Sequence, residues 1–168
     1  MKTKLTILIL VLTLSITANA QKGDYIILLD TSNRWFCSER MEFGEIWQFP
    51  FKLGGTMIFD DTTYYLVDVF YPQKSEAALR EDTIEKKVFK YNTGPDRVYY
   101  DFSLEEGDSI NLPIANAWYY VDSIRDFQTL TDTRKAWYLH CEYDYWYTRP
   151  IWIEGIGSLA GLLKPHLT

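Results

Sequence analysis

The sequence has few of the residues that build metal centres and disulfide frameworks, and few helical signals. Its 168 residues contain only two Cys and two His. This excludes a small domain held together by several disulfides, and it leaves no Cys/His set for structural zinc. The one helical signal is Ser75–Arg80, with Ser75 as a candidate N-cap, and this short segment could equally start a strand. We therefore expect no metal site and no cofactor.

Basic residues are in the minority. Lys and Arg number 17 against 23 Asp and Glu, so the formal net charge is −6. Most of the basic residues are scattered rather than clustered. An acidic chain without a basic patch repels phosphate backbones and anionic membrane surfaces, so we expect no nucleic acid partner. The charge alone leaves neutral ligands and divalent cations open.

The first twenty residues, Met1–Ala20, have the pattern of an export signal. Lys2 and Lys4 precede the apolar stretch Leu5–Thr17, whose 13 residues are fewer than a membrane-spanning helix needs. A small-x-small end follows, so we expect a cleaved signal peptide and a mature chain that starts at Gln21. Without the two lysines the net charge becomes −8. We expect export to the periplasm, the cell surface or the medium, with no membrane insertion after the signal is removed.

Aromatic residues and short β-rich runs are abundant instead. The chain holds nine Phe, thirteen Tyr and six Trp, none of them in the first twenty residues. Thr63–Phe70 is β-branched and aromatic, and Ala136–Tyr147 is the longest strand-like run. In Arg97–Phe102, apolar and polar positions alternate with a period of two, which predicts a half-buried antiparallel strand.

Turn signals separate these runs. Asn92–Asp96 has the composition of a hairpin loop, and Asp-Thr pairs recur at Asp61, Asp82 and Asp132. Asp and Thr hydrogen-bond their local backbone, so these pairs predict hairpin corners. No linker divides the mature chain. We therefore predict an all-β fold: a single antiparallel β-sandwich or open barrel-like domain over residues 21–168.

No segment predicts a catalytic site. Gly155–Ala160 formally fits a dinucleotide-binding pattern, but Pro165 and the shortness of the following segment favour a tight turn. Asp101–Asp108 resembles a calcium loop only loosely, and a strand end followed by a Gly-Asp turn explains it better. His140 and Cys141 are neighbours on a predicted strand and point to opposite faces, so they cannot form a dyad.

The two cysteines allow one intramolecular pairing. Export would permit a Cys37–Cys141 disulfide, which would close a long loop and add about 4–5 kcal/mol. Two buried free thiols are the alternative, because free Cys behaves as a small hydrophobe. Both remain open at this point.

The high aromatic content is the feature that indicates a function. Exposed Trp and Tyr on a β scaffold can stack on sugar rings or anchor a protein partner. The candidate ligand-binding residues are Trp146, Trp152, Tyr143 and Tyr145. Core packing of these rings is the competing explanation.

Three segments also carry a resemblance. Leu79–Asn92 (LREDTIEKKVFKYN), Tyr99–Ile110 (YYDFSLEEGDSI) and Trp152–Leu163 (WIEGIGSLAGLL) resemble uncharacterised exported proteins of Bacteroidetes, often described as type IX secretion substrates. The resemblance implies a β-rich exported domain and no particular activity. Similar proteins continue with further strands beyond the last segment, so we expect this chain to be C-terminally truncated relative to them.

These observations favour an exported, non-catalytic binding or interaction module. Its partner would be a glycan or a protein. A carbohydrate-binding module that uses exposed Trp and Tyr is one alternative, and a hydrolase whose groups converge only in three dimensions is the other.

Overall fold

Eleven β-strands make up the regular structure, and the described residues contain no helix. The computed structural model describes residues 25–40, 46–70, 73–93, 95–112, 115–142 and 149–166. The strands are β1 Arg34–Arg40, β2 Ile46–Phe59, β3 Thr62–Phe70, β4 Gln73–Asp82, β5 Lys87–Lys90, β6 Arg97–Asp101, β7 Ser109–Leu112, β8 Ala117–Gln128, β9 Thr133–Cys141, β10 Ile151–Ile153 and β11 Gly157–Ser158. The all-β prediction is confirmed. In the described part of the chain no helix is long and apolar enough to cross a membrane.

The strands form two antiparallel sheets. Sheet A has six strands in the order β1-β2-β3-β4-β5-β6, and sheet B has five in the order β11-β10-β9-β8-β7. Sequential strands are neighbours in both sheets, because short hairpins join antiparallel strands without a crossover. The chain passes from one sheet to the other between β6 and β7. The two curled sheets pack together, which confirms the sandwich or barrel-like prediction.

Hairpin corners lie where the Asp-Thr pairs predict them. Asp60 and Asp61 have φ angles of 43° and 57° between β2 and β3, the left-handed conformation of a two-residue hairpin turn. Asp82 accepts hydrogen bonds from the backbone N–H groups of Ile84 and Glu85 at 3.0 and 2.9 Å. The helical candidate Ser75–Arg80 lies within β4, because pairing with β3 and β5 overrides its local preference.

Side chains from both sheets fill one core. The inner faces alternate with outer faces along the strands, as the two-residue period requires. The core residues include Val67, Leu79, Val88 and Tyr100 from sheet A and Leu112, Tyr119, Val121, Leu139 and Trp152 from sheet B. This core separates two outer faces, one for each sheet.

The half-buried strand predicted at Arg97–Phe102 is only partly correct. Strand β6 ends at Asp101, and Tyr99 and Asp101, predicted on the open face, are 3% and 8% exposed. A β-bulge interrupts the alternation, because Tyr99 is an extra residue of β6 between the pairs Val88–Tyr100 and Phe89–Val98. The Tyr99 hydroxyl donates a 2.7 Å hydrogen bond to the carbonyl of Leu163. The C-terminal segment therefore covers the face of β6 that the alternation predicts to be exposed to solvent.

Buried aromatic tips hold this C-terminal segment. Residues 159–166 contain no strand, so many of their carbonyls lack a ladder partner. Core rings supply donors, at Tyr100 Oη to Leu162 O (2.6 Å) and Trp152 Nε1 to Pro165 O (2.6 Å). Trp35 Nε1 likewise donates to Ile156 O (2.9 Å) in the turn before β11. Burial raises the pKa of the Tyr100 hydroxyl, which keeps it a donor. Several aromatic side chains thus fill the core and also donate hydrogen bonds to backbone carbonyls of the C-terminal segment.

A carboxylate holds the segment that precedes β1. Glu81 on β4 accepts hydrogen bonds from the Tyr25 hydroxyl at 2.7 Å and from the backbone N–H groups of Leu28 and Leu29 at 2.8 and 2.7 Å. The side chains of Leu28 and Leu29 are buried in the core. One acidic side chain therefore docks an irregular segment that no strand pairs with.

The glycine-rich segment after β10 is the predicted tight turn. Gly155 and Gly157 have φ angles of 69° and 93°, and the chain reverses between β10 and β11. A Cβ added at Gly157 would lie 3.3 Å from the Tyr100 hydroxyl oxygen. The positive φ and this close approach both require glycine here.

Gly157→Ala should lower the free energy of unfolding by about 1–3 kcal/mol, because alanine is strained at this φ. Urea unfolding followed by tryptophan fluorescence measures the effect. The matched control is Gly55→Ala, since a Cβ at Gly55 would meet no atom within 4 Å. The control should change stability by less than about 0.5 kcal/mol. Equal losses of unfolding free energy in the two variants would contradict the requirement for glycine at position 157.

Candidate functional site

Most of the ligand-binding residues predicted from the sequence lie outside the described part of the structure. Tyr143, Tyr145 and Trp146 fall within residues 143–148, which connect β9 to β10. Trp152 is described, and its prediction as an exposed stacking platform is wrong. Its side chain is 0% exposed and packs edge-on against Tyr100 at a ring distance of 5.2 Å. The inward register of β10 decides this, because it places Trp152 opposite the buried Trp137.

Cys141 is a free, half-buried cysteine at the end of β9. It pairs in register with Tyr119 on the inner side of sheet B and packs against the core. Cys37 lies on β1 of sheet A, and its side chain is outside the described residues. Since Cys141 is free, the structure does not contain the predicted Cys37–Cys141 bond, and the alternative of a free thiol holds at Cys141. His140 points to the opposite face of the sheet from Cys141, as expected for strand neighbours.

The best candidate site is the outer face of sheet B. Tyr119 and Val121 of β8 are buried, so their neighbours Trp118, Tyr120 and Asp122 face outward. The same alternation on β7 and β9 completes a surface that consists of Ser109, Asn111, Trp118, Tyr120, Asp122, His140 and Glu142. Trp118 has 44% of its surface exposed, and it is the only Trp among the described side chains that is so open. One exposed indole therefore lies among polar side chains on a strand surface.

An imidazole–carboxylate pair lies at the middle of this face. His140 Nδ1 is 2.6 Å from Asp122 Oδ1, and the two side chains are 44% and 43% exposed. The Tyr120 ring stacks on the imidazole, with a centroid distance of 5.3 Å and an interplanar angle of 19°. Asp122 and Tyr120 thus fix the orientation of His140. Among the described residues no hydrogen bond reaches Nε2, so this nitrogen can serve a ligand.

A β-bulge in β8 brings Asp122 and His140 together. Val121 is opposite Leu139 and Ser123 is opposite Tyr138, so Asp122 is an extra residue in β8. Bulges bend a strand and redirect side chains. Here the redirected carboxylate reaches His140, although the register places His140 opposite Tyr120.

A cavity of about 420 Å³ adjoins the pair. Its lining includes Asp122, Arg125, Tyr138 and Arg149. The guanidinium carbon of Arg125 lies 5.3 Å from the centre of the Tyr138 ring, a cation–π distance. Two arginines therefore line a cavity at the edge of an exposed aromatic surface.

None of these site residues was predicted from the sequence, although part of the signal was present. Trp118, Tyr120 and Asp122 alternate with Tyr119 and Val121, so a period of two already indicates their shared face. His140 and Arg149 come from β9 and from the segment before β10. Only the strand register, including the bulge at Asp122, brings them to the same place.

The acidic loop predicted as a turn has that role. Asp101 is 8% exposed and accepts the backbone N–H of Ser103 at 3.0 Å. Asp108 accepts the backbone N–H of Glu105 at 2.8 Å. Both carboxylates satisfy local backbone donors, as Asp does in tight turns. The described residues contain no group of three or more His, Cys, Asp or Glu side chains that could hold a metal ion.

Comparisons of the chain with protein-family models, with curated proteins and with solved structures gave no match. The site must therefore be interpreted from its own geometry, and the resemblance to exported proteins of Bacteroidetes remains a proposal.

Proposed function

We propose that this protein is an exported, non-catalytic carbohydrate-binding module whose ligand docks on the outer face of sheet B. Export rests on the signal pattern of Met1–Ala20 and on the resemblance to exported Bacteroidetes proteins. Binding rests on one observation: an exposed Trp118 shares a sheet face with the ordered Tyr120, Asp122 and His140 group.

The chemistry of the face suits a sugar. A pyranose ring has an apolar C–H face and a rim of hydroxyl groups. The indole of Trp118 offers a flat apolar surface with one polar edge. Asp122 and His140 offer a carboxylate oxygen and an imidazole nitrogen to hydroxyl groups, and both are already held in place. Preorganised groups of this kind lose little conformational freedom on binding.

Trp118→Ala should weaken glycan binding about 30-fold or more, because truncating a central aromatic contact costs about 2 kcal/mol. Isothermal titration calorimetry with a panel of soluble oligosaccharides measures this without relying on the altered fluorophore. The melting temperature should change little, since the indole is nearly half exposed.

Phe36→Ala is the matched control. Phe36 is an exposed aromatic on sheet A, with 64% of its surface accessible, and its removal should leave affinity unchanged. If no oligosaccharide or polysaccharide binds the wild-type protein, or if Phe36→Ala weakens binding as much as Trp118→Ala, the proposal fails.

A hydrolase is the second candidate, and the His140–Asp122 pair is the observation that favours it. An Asp-oriented imidazole is the arrangement that activates a hydroxyl or a water in many hydrolases. Release of new reducing ends from the bound oligosaccharides, lost in His140→Gln, would establish this activity. Oligosaccharide binding without release of reducing ends supports the non-catalytic binding module.

A further inference from the structure

We propose that the cavity beside the aromatic face binds the acidic group of a sugar, so that the ligand is an anionic glycan carrying carboxylate or sulfate. This inference rests on the proposed function and adds the ligand class. It is carried by Arg125 and Arg149, which line one cavity with Tyr138.

The described acidic side chains beside the cavity are engaged with other groups. Asp126 is paired with Lys135 at 2.5 Å, and Asp122 is held by His140. The contact that the structure gives Arg125 is the ring of Tyr138. Within the described residues no carboxylate lies at ion-pair distance from Arg125 or Arg149. The lining residues that the structure describes therefore carry the two positive charges of the arginines and the negative charge of Asp122.

Arginine in this setting selects anions of defined shape. A guanidinium presents parallel N–H donors that match a carboxylate or a sulfate, and the paired hydrogen bonds are stronger than neutral ones. The cation–π contact with Tyr138 restrains Arg125, and the side chain is exposed, so its N–H donors can reach a ligand. The cavity of about 420 Å³ is large enough for the acidic substituent together with part of a sugar ring.

The local charge contrasts with the whole molecule, whose formal charge is −6. Long-range repulsion of an anionic ligand is screened beyond about 8–10 Å at physiological salt. Close contacts at the cavity are screened much less. Two arginines converging in one cavity of an acidic protein are thus a means of binding an anion that the rest of the surface repels.

The test compares acidic and neutral forms of the same oligosaccharide by calorimetry. One arm uses trigalacturonate and its methyl ester, and the other uses a sulfated galactose oligomer and its desulfated form. We expect at least one acidic form to bind about tenfold or more tightly than its neutral partner, and the preferred arm identifies carboxylate or sulfate. Arg125→Gln and Arg149→Gln should each remove most of this preference.

The control variant is Arg97→Gln, an exposed arginine at the start of β6 in sheet A, which should keep the preference. If acidic and neutral forms bind equally and only Trp118→Ala weakens them, the anion site is refuted while the proposed function stands. If neither form of either oligosaccharide binds, and no other glycan does, the proposed function fails and this inference fails with it. A preference that survives both arginine substitutions also refutes the anion site.

Discussion

Trp152→Ala should lower the free energy of unfolding by about 4–5 kcal/mol, a large share of the stability of a domain this size. The indole is completely buried between the sheets and contacts the rings of Tyr100 and Phe102. Its removal leaves a cavity that a rigid β-sandwich can close only in part. It also removes the donor that Pro165 O accepts at 2.6 Å. Urea unfolding at several wavelengths measures the loss.

Two further variants separate the effect of the cavity from that of the lost hydrogen bond and from the removal of an indole in general. Trp152→Phe keeps much of the ring volume and loses the hydrogen bond to Pro165, so its cost should be clearly smaller than that of alanine. Trp118→Ala removes the same side chain from a half-exposed position and should cost less than about 1 kcal/mol. If Trp118 and Trp152 have equal effects on stability, the assignment of one to the surface and the other to the core is wrong.

Glu81→Ala should destabilise the fold by about 3 kcal/mol. The substitution removes the acceptor of three hydrogen bonds, two of which come from the backbone of the buried Leu28 and Leu29. A hydrogen bond to a charged group contributes about 1.5–3 kcal/mol, and the partly exposed position lowers the total below a simple sum. The segment before β1 should become protease-sensitive and exchange its amide hydrogens faster.

Glu85→Ala is the matched control for this prediction. Glu85 lies in the turn that follows β4, and its partner Lys87 is 3.4 Å away at an exposed position. Such a pair contributes at most about 1 kcal/mol. Glu81→Gln should fall between the two, because an amide keeps one acceptor oxygen and replaces the other with a donor. A loss for Glu81→Ala no greater than that for Glu85→Ala would refute the docking role of Glu81.

The fold class could be predicted from local signals because they act over a few residues. The Asp-Thr pairs mark hairpin corners through bonds to their own backbone, and period-two alternation marks strands that have one buried face. The same reasoning failed at Tyr99, which a bulge and the C-terminal segment bury. It also failed at Trp152, which was predicted to be exposed and is buried because the register of β10 points it inward.

The candidate site required more than periodicity. Trp118, Tyr120 and Asp122 share a strand face that the alternation indicates. The pairing of Asp122 with His140 depends on one extra residue in β8, and the convergence of Arg125 and Arg149 depends on the order of the strands in sheet B. Each of these is a long-range relation between segments that are separate in the sequence.

The sequence by itself determined that this is an aromatic-rich, all-β chain, because residue type and two-residue periodicity act locally. The export signal at Met1–Ala20 stays a prediction. The tertiary structure decided which rings serve the core and which face outward. Trp152 fills the space between the sheets and donates a hydrogen bond to the carbonyl of Pro165, whereas Trp118 shares the outer face of sheet B with the imidazole–carboxylate pair. Strand register decides this difference, because a shift of one residue exchanges the buried and exposed faces of a strand.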